Sequence, residues 1–290
     1  MRISWLAFLF LGPLPLCGFA QVDRIGSLIV AEEDFARHSA ERGMRAAFLE
    51  FLSDSGVIFR PHPVNGRSAW LRRPDSPSRL SWYPEAAGIA CDGQLGWTVG
   101  PWELYDSAAN ARPAACGHYV SIWVPDSLGR WKVVLDIGVD HDCPEEPPPR
   151  LDHESAGRTG VPSKSVAGAS YLKCEKEFQL LAGTAEVEAA YRKHASTDIR
   201  VLRARLMPVK GIEPLLATAA RQQGRVKWKT IGESPPGERD LGYVYGDYRR
   251  SPAEGSPDQT ERGYFVRVWK RGSGGVWKIV LDLETRLQAE

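Results

Sequence analysis

The chain repeats itself once, and that repeat constrains its architecture more than any other feature. Gly117-His118-Tyr119-Val120-Ser121-Ile122-Trp123 returns 146 residues later as Gly263-Tyr264-Phe265-Val266-Arg267-Val268-Trp269. Trp131-Lys132-Val133-Val134-Leu135-Asp136-Ile137 returns as Trp277-Lys278-Ile279-Val280-Leu281-Asp282-Leu283. Between Cys116–Ile137 and Arg262–Leu283, ten of 22 positions are identical without a gap. Solenoid units run about 20–50 residues, so a period this long indicates a duplicated domain.

The first residues read as a secretory signal. Arg2 precedes the apolar run Trp5–Leu11, and Gly18-Phe19-Ala20 places small residues before a cleavage point at Gln21. Pro13 and Pro15 interrupt a stretch already too short to span about 30 Å of hydrocarbon. Removing it takes the formal charge from +1 to about zero. Basic residues are scattered, so neither nucleic acid nor an acidic membrane surface is an expected partner. Four cysteines remain, Cys91, Cys116, Cys143 and Cys174, an even count that suits disulfides in a periplasmic or extracellular compartment.

The expected division is a signal at 1–20, a first domain at 21–142, a linker rich in Pro, Gly and Ser at 143–169, and a second domain at 170–290. Both halves open on amphipathic helices. Ile25, Leu28, Ile29, Glu32 and Phe35 trace one stripe, and Met44, Ala47, Phe48, Phe51 and Leu52 a second. Val187, Ala190, Tyr191, His194 and Ala195 repeat the latter 143 residues on. Short strands follow at Val57-Ile58-Phe59 and Ile199-Arg200-Val201-Leu202, and longer ones later in each half: Leu95–Tyr105, Tyr119–Val124 and Trp131–Val139, then Leu241–Arg249, Gly263–Lys270 and Trp277–Leu283. Helices first and consecutive antiparallel strands afterwards indicate an α+β fold.

This order, with Gly96-Trp97-Thr98-Val99-Gly100-Pro101-Trp102 and the two repeated phrases, resembles the nuclear-transport-factor-2-like superfamily, in particular its SnoaL-like secreted bacterial members. The resemblance covers about 25–140 and 171–285. It implies two tandem cones, each a curved sheet wrapped by three helices around a pocket. Ketosteroid isomerases, polyketide cyclases and dehydratases share that scaffold with binding and dimerisation modules, so it implies no single activity.

Within a cone, a base needs a carboxylate or histidine whose pKa is moved toward neutrality. Asp136 lies in an apolar strand, where burial would raise its pKa. A hairpin about Ser127-Leu128 with even register sets it near His118, and the next hairpin brings Glu103 there as well. Against catalysis, Asp282 repeats Asp136 while Tyr264 and Arg249 replace His118 and Glu103. A carboxylate kept while its partners change reads as a structural acceptor. His62 lies in a proline-bounded loop, near the pocket mouth by resemblance. Trp97 and Trp102 become Tyr243 and Tyr248, which marks them as pocket residues rather than invariant core. His141, Asp142 and His153 lack metal-ligand spacing, and no cofactor motif appears.

The same hairpin puts Cys116 opposite residue 139 or so and predicts a Cys116–Cys143 disulfide, leaving Cys91–Cys174 as a second pair. The leading functional expectation is an exported, non-catalytic protein that holds a small, largely apolar molecule in the first pocket. The alternatives are an isomerase, cyclase or dehydratase-type lyase using Asp136 or His118 as base, and an interaction module whose two domains pair as an internal pseudo-dimer.

Overall fold

The computed structural model describes residues 17–107, 109–146, 149, 170–184, 186–219, 224–235, 239–252 and 260–287. Most of the expected signal, the greater part of the linker and His153 lie outside them. Among the described residues no helix is long and apolar enough to cross a membrane.

The first half contains helices α1 (Cys17–Arg42), α2 (Met44–Phe51) and α3 (Gly66–Arg72). Its strands are β1 (Leu52–Phe59), β2 (Pro63–Asn65), β3 (Arg79–Trp82), β4 (Ala86–Ile89), β5 (Gly96–Tyr105), β6 (Ala115–Pro125) and β7 (Trp131–His141). They form a sheet in the order β2-β1-β7-β6-β5-β3, with β4 also on β5. The second half repeats the plan with α4 (Tyr171–Gly183), α5 (Val187–His194) and α6 (Ile212–Ala219). Its strands are β8 (Ala195–Arg203), β9 (Val209–Lys210), β10 (Arg225–Glu233), β11 (Leu241–Ser251), β12 (Glu261–Arg271) and β13 (Trp277–Glu284). The order is β10-β11-β12-β13-β8-β9.

The mixed α+β class with two sheets is consistent with cone folds, with one correction. Neither sheet is wholly antiparallel, because β1 runs parallel to β7 and β8 parallel to β13. The strand leaving the second helix of each half closes against the last strand of that half, and this fixes the direction. Strands β2, β3, β4, β9 and β10 go beyond the strands expected from periodicity.

Local chemistry sets the joints. Asn65 caps α3, its side chain accepting from the Ser68 amide at 2.9 Å. Asp126 closes the β6–β7 turn by accepting from the Leu128 and Arg130 amides, both at 2.9 Å. The apolar stripes then bury as read: Ile25, Leu28, Ile29 and Phe35 of α1 pack with Met44, Ala47 and Phe48 of α2 beneath Trp82, Trp123 and Trp131. Each such aliphatic side chain contributes about 1.5–3 kcal/mol when removed from water.

Strand β7 carries a β-bulge. Trp123 pairs with Val133 and Ile122 with Leu135, which leaves Val134 without an opposite number. The second half bulges at the same place, Trp269 pairing with Ile279 and Val268 with Leu281. One extra residue reverses the facing of everything beyond it. Trp131 and Val133 therefore point to the helices, while Leu135, Ile137 and Val139 point away from them.

Those outward residues do not meet solvent. Val99, Val120, Ile122, Leu135 and Ile137 share one buried cluster with Tyr243, Tyr264, Val266, Val268, Leu281 and Leu283 of the second sheet. Polar contacts ring this cluster, including Arg200 to Glu85 at 2.7 Å, Arg239 to Asp92 at 2.8 Å and Lys270 Nζ to the Ile89 carbonyl at 2.6 Å.

The Cys116–Cys143 disulfide is present, with Cα atoms 5.1 Å apart. The bulge moves the partner of Cys116 to His141, which brings Cys143 within reach. The expected Cys91–Cys174 bond is not formed. Cys91 instead faces Asp240, its amide and thiol donating to the two carboxylate oxygens at 2.8 Å each, while Cys174 lies on α4 against the second-half core.

Candidate functional site

Between the first sheet and its helices lies a cavity of about 520 Å³. Phe35 and Phe48 from the helices and Trp82, Trp102 and Tyr119 from the strands form its apolar wall. Asp136 enters from β7, and Arg60, Arg73 and Asp140 stand at exposed positions along the rim. Two glycines make room for the Trp102 ring. A Cβ at Gly117 would collide with it and with the Val139 carbonyl, and one at Gly138 would sit 3.2 Å from its Nε1.

The polar groups are few and placed. Ser121 Oγ donates to Asp136 Oδ2 at 3.0 Å. Burial raises the Asp136 pKa, opposed by that bond and by the Arg60 charge. The Tyr119 hydroxyl is buried and makes no hydrogen bond among the described residues. Its pKa is pushed well up by burial, with the Glu32, Asp136 and Glu85 carboxylates adding to the effect.

Behind this wall lies an acid that no sequence motif marks. Glu32 is fully buried. It accepts from Trp82 Nε1 at 2.6 Å, Thr98 Oγ1 at 2.5 Å and Trp123 Nε1 at 3.2 Å. Burial outweighs these donors and lifts its pKa to about 7. The signal was available: an acid inside the apolar stripe of α1, repeated as Glu175 143 residues on.

The structure separates the expected cluster. Because of the bulge, Asp136 pairs with Ser121 and His118 with Val139, so the two side chains lie on opposite faces of the sheet. Asp136 faces the cavity. His118 faces the second half, its Nδ1 2.8 Å from His141 Nε2 and its Nε2 3.4 Å from Glu85 Oε2. Burial raises Glu85, but His118 and Arg200 outweigh it and hold this carboxyl below its usual range. A space of about 370 Å³ between the halves is lined by Glu85, His118, Arg200 and Lys210.

Glu103 belongs to neither place, pairing with Cys116 and accepting from the Tyr105 hydroxyl at 2.7 Å. Trp102 lines the cavity as expected, whereas Trp97 packs on the opposite face in the core shared by both halves. Adjacent strand residues alternate in facing, but these two are five apart and must differ. His62 contacts the second half rather than the cavity, its Nδ1 2.5 Å from the Tyr264 hydroxyl.

The corresponding space in the second half is filled. Arg267 stands where the first half has Ser121, and Glu284 where it has Gly138. Arg203, Arg250 and Arg267 interlock there with Glu175, Asp282 and Glu284. The three guanidinium groups together overcome burial and pull Glu284 down to about 2.

No protein-family model matches the sequence, and no curated protein sequence matches it. Solved structures to which this chain is similar are nuclear-transport-factor-2-like and ketosteroid-isomerase-like proteins. One is a nuclear-transport-factor-2-like protein of unknown function from Shewanella oneidensis MR-1, at 12% identity and a TM-score of 0.34, over 40% of this chain and 95% of that one. Another is a ketosteroid-isomerase-like protein from Erwinia carotovora atroseptica SCRI1043, at 7% identity and a TM-score of 0.36, over 41% and 94%. A conserved protein from Planctomyces limnophilus DSM 3776 shares 13% identity at a TM-score of 0.35, over 40% and 93%. Likeness of this degree says nothing of what the present chain does.

Proposed function

We propose that the chain is an exported protein of two tandem nuclear-transport-factor-2-like domains, residues 21–142 and 170–290 with a linker between them, in which the first domain binds a small, largely apolar molecule. The carrying observation is the first-half cavity: an aromatic wall that includes Phe35, Trp82, Trp102 and Tyr119, with the Asp136 carboxylate entering it. Sites of this kind bind through apolar area and orient through a few polar groups. The second domain is a diverged partner whose interior is occupied by its own arginines and whose sheet backs the first. Export is supported by the signal-like opening and by the Cys116–Cys143 disulfide.

Binding without turnover is the preferred reading because Asp136 recurs as Asp282, an ion-pair partner of Arg203 and Arg267 where arginine side chains fill the space. Its test is a panel of hydrophobic metabolites read by tryptophan emission, since Trp82 and Trp102 line the cavity, and by melting temperature. Ligands that move both support the reading. A panel that moves neither removes it.

One observation favours a second reading, an isomerase- or lyase-type reaction with Asp136 as base. Its pKa is raised by burial, and its carboxylate enters a cavity whose wall is otherwise largely aromatic. Asp136→Asn should then abolish turnover of a bound ligand while the fold survives. Equal loss of stability would assign Asp136 a structural role.

A further inference from the structure

The duplicated half shows what the first cavity is shaped to hold. In the second half the fully buried Arg267 guanidinium has its Nη1 2.7 Å from Glu175 and its Nε 3.3 Å from Asp282. Its Cζ lies 4.5, 4.7 and 4.6 Å from the ring centroids of Phe178, Trp228 and Phe265. This is a cation enclosed by aromatic faces and countered by two carboxylates.

Each wall of that enclosure has its counterpart in the first half, at the same place in the fold. Arg267 pairs with Asp282 as Ser121 pairs with Asp136. Phe265 pairs with Glu284 as Tyr119 pairs with Gly138, and Trp228 with Tyr248 as Trp82 with Trp102. Glu175 accepts from Trp269 Nε1 as Glu32 accepts from Trp123 Nε1. Phe35 and Phe178 lie three residues beyond those acids. The walls are kept and the guanidinium is gone, because Ser121 replaces Arg267.

Charge follows the same pattern. In the second half three arginines, Arg203, Arg250 and Arg267, meet Glu175, Asp282 and Glu284. In the first half Glu32 and Asp136 remain, with Arg60 in the place of Arg203 and Leu104 in the place of Arg250. The rim adds one charge of each sign, Arg73 and Asp140. Above pH 7, where Glu32 is ionised, Glu32 and Asp136 together outnumber Arg60 by one charge.

We propose that the first-half cavity takes an organic cation, a guanidinium or ammonium on an apolar body, with its charged head between Asp136 and the rings of Phe35, Trp82 and Tyr119. This rests on the ligand-binding reading and adds the charge of the ligand. Arg60 at the rim is no obstacle, since Arg203 and Arg267 share Asp282 in the second half.

The test uses three probes of matched size on the full chain, read by calorimetry: benzylguanidinium, neutral benzylurea and anionic 3-phenylpropionate. Benzylguanidinium should bind about tenfold or more tighter than benzylurea at pH 8, and phenylpropionate weakest. Asp136→Asn should bring the first two affinities together. Equal or tighter binding of benzylurea or phenylpropionate overturns the cation assignment and leaves the ligand cavity standing. A preference that survives Asp136→Asn overturns the placement of the head. Binding of none of the three at millimolar concentration overturns the cation assignment, and the cavity reading then rests on the hydrophobic panel alone. The comparison on the unaltered protein decides the matter even if Asp136→Asn does not fold.

Discussion

Glu32 shows how one residue can couple the interior of this protein to pH. Its folded pKa of about 7 lies above the ordinary 4.5, so the folded state holds the proton more tightly than the unfolded state. The stability this contributes is complete below about pH 4.5 and is lost as pH rises through 7, a change of about 3 kcal/mol. Glu284 has the opposite sign. Lowered to about 2 by its arginines, it contributes stability above pH 4.5 that is lost as pH falls through 2. Urea titrations between pH 4 and 8 should therefore show stability declining across pH 5–7, and Glu32→Gln should flatten that decline. An unchanged profile in the variant would assign the slope to another group, Asp136 first. Glu32 was legible as an oddity, an acid in an apolar stripe. Its partners were not, because Trp82, Thr98 and Trp123 lie 50–91 residues away in sequence.

Among the elements, the bulged strand β7 decides what the cavity contains. Without the extra residue Asp136 would stand opposite Val120 and face the second half with His118. With it, Asp136 stands opposite Ser121 and faces the helices. Period-two alternation places every strand residue correctly up to the bulge and reverses it afterwards. The repeat gave no warning, because both copies bulge at the same position and so remain in phase with each other. Trp102 is the companion element feature, seated against the β6 and β7 glycines. Gly117→Ala should cost about 1–3 kcal/mol by overpacking, since the new Cβ meets both the Trp102 ring and the Val139 carbonyl. Denaturant midpoints measure that cost, and a shift in tryptophan emission should accompany it. A neutral substitution would mean that Trp102 is free to leave its seat.

At the scale of the whole molecule, the two sheets turn their backs on each other and bury a common core. The first half made alone, residues 21–146, would expose Val99, Val120, Ile122, Leu135 and Ile137. An apolar face of that extent promotes association. This fragment should elute as a dimer or larger species in size-exclusion chromatography, and a monodisperse monomer would show that the shared core is dispensable. The disulfide acts on the same scale by closing the segment between Cys116 and Cys143, which are 27 residues apart. Its reduction should lower stability by about 3–4 kcal/mol in the loop-entropy model. Thermal melts with and without reductant, or of Cys143→Ser, measure this directly.

The sequence by itself determined the repeated phrases, the α+β class, the helix stripes, the hairpin of β6 and β7 and the cysteine pair at its end. Those features depend on local periodicity and on turn chemistry that neighbours in the chain supply. Tertiary structure alone decided which face each strand residue takes beyond the bulge, that His62 and Trp97 serve contact between the halves, and that Cys91 meets Asp240 rather than Cys174. It also decided that one interior is open while the other is filled by Arg267 and Glu284. The reason is physical: a cavity and an ion network are sums over residues from many strands and helices. Whether a serine or an arginine at one position leaves space depends on what the opposite wall brings to meet it.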